Sequence, residues 1–225
     1  MDGILLIDKP KAWTSFDVVA KVRGRVKAKT GQKRPKVGHA GTLDPLATGL
    51  LIILVGDYCK KAAEYSKLDK TYEVELKLGE TSTTDDAEGE ITQVNQKKPS
   101  KEAVLTAINS FLGEIEQIPP IFSAIKVEGK RAYKLAREGK TPEMKARPVT
   151  IHTITDITYD YPKITLTTEV SSGTYIRSLA RDIGEKLGTG AYMTDLRRTK
   201  VRDFDLKNAH QIATVSADSI ERLLG

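Results

Sequence analysis

The chain has a single cysteine, Cys59, in 225 residues. No disulfide forms within it, so a reducing cytoplasmic compartment is expected, with Cys59 a buried structural thiol. Histidine is nearly as scarce. His39, His152 and His210 share no ligand spacing with one another or with Cys59, which argues against zinc. Long hydrophobic runs are missing too: the longest, Leu50 to Val55, falls far short of the roughly 20 residues of a spanning helix. The opening MDGILLIDKP has no signal-peptide pattern, so neither membrane insertion nor secretion is expected. No GxxxxGK[ST] loop occurs, which argues against a nucleoside triphosphate. Gly188-Thr189-Gly190 opens like a dinucleotide fingerprint, but it follows a helical pattern and lacks the third glycine. In Gly41-Thr42-Leu43-Asp44 the acid follows the Gly-Thr pair, the reverse of an aspartyl-phosphate motif, and no early carboxylate pair stands ready for magnesium. Neither metal nor cofactor is expected.

What is present is length and positive charge. A chain of this size supports one substantial domain that buries roughly 70–75% of its unfolded surface. Its formal charge is +6 with a sequence pI near 9.2. Residues 1 to 40 hold ten Lys/Arg against three acids, and Lys126 to Arg147 hold eight against three. Two basic blocks around a more acidic middle suggest a polyanionic partner. Solvated lysine-rich helix faces account for either block taken singly about as well.

Periodicity predicts a short strand over Gly3 to Ile7, then a helix opened by a Thr14/Asp17 capping box with the stripe Val18, Val19, Val22 and Val26. Lys27 to Lys36 reads as a basic loop, and Asp57 to Lys67 as helical. From Thr71 to Leu78 the pattern alternates, with Tyr72, Val74, Leu76 and Leu78 on the inner face. Ser100 caps a helix with the face Val104, Leu105, Ile108, Phe111 and Leu112. Pro119-Pro120 precedes a strand over Ile121 to Val127, and a short basic helix over Arg131 to Glu138 ends at Gly139. Strands follow near Val149 to Thr158 and Lys163 to Val170. A helix with core positions Ile176, Leu179, Ile183 and Leu187 leads to a strand over Met193 to Val201, and a terminal turn of helix covers Ser219 to Leu224. No linker or repeat intervenes. The class expected is α+β, a single domain over residues 1–225, with a mixed, mostly antiparallel central sheet and flanking helices and loops.

Within this pattern one segment stands out. Gly38 to Leu51, GHAGTLDPLATGLL, sets Asp44 on a tight loop running into the apolar run Gly49 to Val55, a buried strand. A loop presents a group while a core strand holds it still, which suits a nucleophile. Taken alone, Asp44-Pro45 reads first as the opening two positions of a type I turn, and only the rest of the chain favours the nucleophile. Tyr72 points inward, and Arg177 flanks the buried stripe of its helix, where it borders a pocket or forms a surface ion pair.

Four motifs carry a resemblance: GHAGTLDPLATGLL, Lys70-Thr71-Tyr72-Glu73, Gly173-Thr174-Tyr175-Ile176-Arg177-Ser178-Leu179 and Leu196-Arg197-Arg198-Thr199. In that order, from Gly3 to about Phe204, they closely resemble the TruB-type tRNA pseudouridine synthases. The resemblance implies the pseudouridine synthase fold and a cytoplasmic, monomeric, cofactor-free isomerase. Its substrate is the uridine at position 55 in the T loop of tRNA. The resemblance makes Asp44 the nucleophile, Tyr72 the aromatic stacked on the target base, and Arg177 the partner of the aspartate. Leu196 lines the base pocket with Tyr175 nearby, His39 enters the gap left in the RNA, and Asp86 orients the arginine or the RNA. Lys9, Arg131 and Lys134 are expected at phosphates. The physics agrees: a base must leave its stack to be reached, and a guanidinium keeps a buried carboxylate ionised.

Three positions depart from the family pattern. Ala12 follows the DKP run where glycine is usual, Val170-Ser171-Ser172 replaces CSK, and Arg202 replaces a glycine before Phe204. The C-terminal PUA-type RNA-binding domain of most relatives is also expected to be missing. A non-catalytic protein that binds and folds the tRNA T arm is the rival function.

Overall fold

A computed structural model describes residues 1–127 and 129–224. Along the chain it forms β1 (Gly3–Lys9), α1 (Ser15–Thr30), β2 (Val37–Ala40), β3 (Thr48–Val55), α2 (Ala62–Ser66), β4 (Lys70–Leu78), β5 (Glu80–Ser82), β6 (Ile91–Gln93) and α3 (Lys101–Asn109). Then come β7 (Gly113–Gln117), β8 (Lys126–Val127), β9 (Lys130–Arg131), α4 (Ala132–Arg137), β10 (Arg147–Asp160), β11 (Lys163–Val170), α5 (Ile176–Leu187), β12 (Ala191–Val201), β13 (Phe204–Asp205), β14 (His210–Gln211) and α6 (Ile220–Leu223). The class is α+β, with mostly antiparallel strand pairing, as the sequence leads one to expect.

The chain divides into two compact units, one of Met1–Tyr72 with Leu196–Gly225 and the other of Glu73–Asp195. In the first, β3 is the central strand. It runs antiparallel to β1, with Ile7 opposite Leu51, and antiparallel to β2, with His39 opposite Ile53. The end of β12 joins it in parallel, with Arg197 opposite Thr48 and Arg198 opposite Gly49. Leu50 to Leu54 are fully buried, which explains an unbroken apolar run where a half-exposed strand would alternate. Ala40 and Val201 complete this core, and Tyr58, Cys59, Tyr65 and Phe204 pack around it. Cys59 is half-buried; its thiol donates to Leu54 O at 3.2 Å, and burial pushes its pKa up.

Helix α1 shows how local chemistry fixes an element. Asp17 N–H donates to the Thr14 hydroxyl oxygen at 3.1 Å and Thr14 N–H to the Asp17 carboxylate at 2.8 Å, a complete capping box. Val18, Val19, Val22 and Val26 are buried along one stripe. At the far end Gly31, at φ 71°, donates to Lys27 O, a left-handed cap that glycine adopts at low cost.

In the second unit the strand order is β4, β11, β10, β7, with β10 antiparallel to both neighbours. Ile164, Leu166, Thr168 and Val170 form the buried face of β11. Helix α5 buries Ile176, Leu179, Ile183 and Leu187 and packs against α3.

Four element expectations are corrected. Lys27 to Thr30 belong to α1 rather than to a loop, because alanine and lysine sustain the helix until Gly31 ends it. Val37–Ala40 is a strand, so the loop proper starts at Gly41. The strand expected over Ile121 to Val127 shrinks to Lys126–Val127: Ser123 N–H donates to Ile121 O, a turn that takes the backbone out of any ladder. Helix α3 stops at Asn109, leaving Leu112 exposed beyond its end rather than on its buried face.

Candidate active site

In the first unit, Asp44 lies on the loop between β2 and β3. Ala47 N–H donates to Asp44 O at 3.1 Å, so Asp44 does open a turn, with Pro45 in the second position. The residues on either side of it are braced. Leu43 is held through the Ser15 hydroxyl, which accepts from Leu43 N–H at 2.9 Å and donates to Leu43 O at 3.0 Å. Pro45 O accepts from Ala12 N–H at 2.8 Å and from the Lys9 ammonium at 3.4 Å. The Lys9–Ser15 segment thus fixes the backbone before and after the acid.

That arrangement corrects the expectation for Lys9. It is fully buried, and its ammonium also donates to Pro10 O and Trp13 O at 2.9 and 2.5 Å. An ammonium enclosed by backbone carbonyls acts as a brace and does not stand where a phosphate arrives.

His39 sits in β2, two residues before the loop starts at Gly41. Burial, and then the charge of Arg198, push its pKa down and keep the imidazole neutral at pH 7. Its Nδ1 is buried without a hydrogen-bond partner among the described residues. Tyr72 is buried on the inner face of β4, where burial alternates through Lys70, Tyr72, Val74, Leu76 and Leu78. Leu196 is buried at the start of this unit's share of β12, and its carbonyl accepts from the Thr48 hydroxyl at 3.5 Å.

The second unit holds Arg177, Asp86, Tyr175, Arg131 and Lys134. Arg177 is 6% exposed, so the surface ion-pair reading fails. Its guanidinium donates to Thr84 O at 3.1 Å and Phe122 O at 3.0 Å and lies 3.5 Å from the Asp86 carboxylate. Asp86 is itself buried, accepts from Glu88 N–H at 3.0 Å and from the Thr84 hydroxyl, and so caps its turn while facing the arginine. Tyr175 precedes α5; its N–H donates to the Gln117 side chain at 2.8 Å and its carbonyl accepts from it at 3.1 Å. Arg131 and Lys134 are exposed.

Sequence reasoning missed four side chains here. Ser15 carried no signal beyond its place after a cap. Arg181, one turn after Arg177, pairs with Asp85 at 3.0 Å and donates to Ile118 O; burial raises the pKa of Asp85 despite that pairing. The helical i, i+4 spacing and the Asp85-Asp86 doublet were the available signals. Lys70 and Arg198 lay within quoted motifs without a role. Both are buried beneath the start of the Asp44 loop. Among the described residues no group of His, Cys, Asp and Glu is arranged to hold a metal ion, and no helix is long and apolar enough to cross a membrane.

A braced acid in one unit and a buried arginine in the other, each within its motif, are matched by known proteins. Residues 27–176 match the model of the TruB family pseudouridylate synthase N-terminal domain, and residues 177–222 that of the tRNA pseudouridylate synthase B C-terminal domain. The tRNA pseudouridine synthase B of Phocaeicola vulgatus is 48% identical over 206 residues, 91% of this chain and 88% of that one. Its counterpart in Flavobacterium johnsoniae is 44% identical, covering 97% and 96%. Among solved structures, a chain from the crystal structure of a Cbf5-Nop10-Gar1 complex superposes with a TM-score of 0.72 at 25% identity. The match covers 96% of this chain and 54% of that one, so this chain spans about half of that relative. The order of the motifs, the fold and the extent of these matches agree: the chain belongs to the TruB family of pseudouridylate synthases and is an isomerase.

Proposed function

We propose that this protein acts in the cytoplasm as a monomer and converts the uridine at position 55 of the tRNA T loop to pseudouridine without a cofactor. The N1–C1′ bond breaks, a C5–C1′ bond forms, the C5 proton leaves and N1 takes up a proton, so the product is an isomer of the substrate. The observation that carries the reading is the bracing of Asp44 within a TruB-type motif, because a nucleophile gains most from a fixed position relative to its target.

In this reading Asp44 supplies the attacking carboxylate and Tyr72 stacks on the flipped base. Leu196 and Tyr175 border it, and His39 enters the space the base vacates. A neutral imidazole suits that place, since it joins stacked bases without bringing in a charge. Arg177 serves as the partner of Asp44, a role carried by the resemblance, and the adjacent Asp86 supports it by orienting the guanidinium. Arg131 and Lys134, both exposed, meet phosphates.

The test is tritium release from an unmodified tRNA transcript labelled at uridine C5. Wild type releases tritium, a transcript with cytidine at position 55 yields none, and Asp44→Asn loses on the order of 10³-fold or more in rate. Release unaffected by Asp44→Asn removes the nucleophile. Tight binding without release by wild type makes the protein a T-arm binding factor instead.

A further inference from the structure

The loop that carries Asp44 leaves the sheet at a gap in β3. On that edge β12 pairs with β3 only at Thr48 and Gly49, and β2 pairs with it only from Ile52 onward. Leu50 O lies between the two ladders. Arg198 fills the gap: its Nε donates to Leu50 O at 2.7 Å, and its Nη2 donates to Gly41 O at 2.9 Å. Gly41 is where the chain departs for the loop and Leu50 is where it has re-entered the core. One fully buried guanidinium therefore ties both ends of the segment that bears the acid.

The surroundings leave this side chain little freedom. Gly49, at φ 98°, has no room for a Cβ, which would stand 2.3 Å from Arg198 O. The backbones of β3 and β12 are thus in direct contact at the root of the arginine. At its tip, a Cβ on Gly41 would meet Arg198 Nη1 at 3.4 Å and Lys70 Cε at 3.3 Å. Lys70 donates its own ammonium to Ser66 O at 3.0 Å and to Leu68 O, closing the far side. An apolar side chain of equal size would fill the volume and avoid burying a charge, but it would leave both carbonyls unpaired.

We propose that Arg198 is the positioning residue of the reaction: it sets where the Asp44 carboxylate stands by fixing Gly41 and Leu50 relative to each other. The inference rests on the reading of Asp44 as nucleophile. It predicts a particular kind of loss. Releasing the loop ends displaces the acid without removing any RNA contact, so the chemical step suffers and substrate affinity does not. Displacements of about 1 Å cost on the order of 10²-fold in rate.

The test compares Arg198→Met, Arg198→Lys and Gly41→Ala with wild type, using tritium release from C5-labelled tRNA together with tRNA binding. Arg198→Met is expected to lower kcat by about 10- to 100-fold with KM and the dissociation constant within about twofold of wild type. Arg198→Lys reaches one carbonyl but not both and regains part of the loss. Gly41→Ala retains the arginine but, at φ 84°, strains the loop backbone as well as crowding the guanidinium, and it shows the same kcat-only defect; if the Met variant does not fold, Arg198→Lys decides the matter, a wild-type kcat overturning the proposal. A folded Arg198→Met with wild-type kcat overturns the proposal, as does a loss confined to KM. Asp44→Asn run in parallel separates the two ideas: if that variant keeps full activity, the nucleophile reading fails whatever Arg198 does.

Discussion

Ala12 and Arg202 hold φ values of 67° and 50°, in the left-handed region that favours glycine. These are two of the positions where the resemblance leads one to expect a glycine, and both carry local strain. The cost of an L-residue there is roughly 1–2 kcal/mol. Ala12→Gly is therefore expected to stabilise the protein by about 1 kcal/mol, and to raise the thermal midpoint by about 2–4 °C as read by circular dichroism. Because Ala12 N–H donates to Pro45 O, the same variant reports on the brace of the Asp44 loop. Lys70 offers a second residue-level prediction. Burial, then the neighbouring guanidinium of Arg198, lowers its pKa to about 8, with Asp69 opposing. In the unfolded chain it titrates near 10.4. Between those values the unfolded state binds more protons, so Lys70 makes stability rise with pH; below about 8 the full cost of the buried charge remains. Urea unfolding at pH 7.5 and 9.5 should show wild type gaining on the order of 1–2 kcal/mol relative to Lys70→Met over that interval.

At the scale of elements, what was legible had a short-range cause. The capping box of α1, the alternation that buries Tyr72 in β4, and the apolar run of β3 each depend on neighbours within a few residues, and each stands as read. The turn at Asp44 was legible for the same reason. Lys9 and Arg198 were not. Periodicity places the root of a side chain, whereas the course of a long cationic one is set by carbonyls far off in sequence, here Pro45 O for Lys9 and Gly41 O with Leu50 O for Arg198. The strand expected after Pro119-Pro120 failed because apolar content said nothing of the turn at Ser123. One element carries a prediction of its own. From Val18 to Leu43 the chain has eight Lys/Arg and no acid, and Lys33, Arg34 and Lys36 are exposed just ahead of β2. If this stretch meets the RNA backbone, replacing those three with alanine raises KM and flattens the dependence of log KM on log salt by about 0.7–0.9 per lost phosphate contact. The same kinetics at 50 and 200 mM salt check it.

For the whole molecule, the net charge of +6 draws in any polyanion, so affinity for tRNA alone says little about specificity. The two contributions separate by salt. Binding that comes from charge is released with counterions and weakens steeply between 50 and 200 mM, whereas a base held in a pocket by stacking and hydrogen bonds retains its share. Ligand that binds only the folded state stabilises it by about 2.7 kcal/mol at a hundred times its dissociation constant. For a chain of this length that is a rise of about 5–10 °C in thermal midpoint. Unmodified tRNA and duplex DNA of equal phosphate content are both expected to raise the midpoint at 50 mM salt. At 200 mM the DNA effect should all but vanish and the tRNA effect persist, diminished. The surviving part should shrink in Tyr72→Ala, which lacks the proposed stacking surface, and be retained in Asp44→Asn, which lacks only the attacking group. Equal decay for tRNA and DNA would reduce RNA recognition by this molecule to its charge.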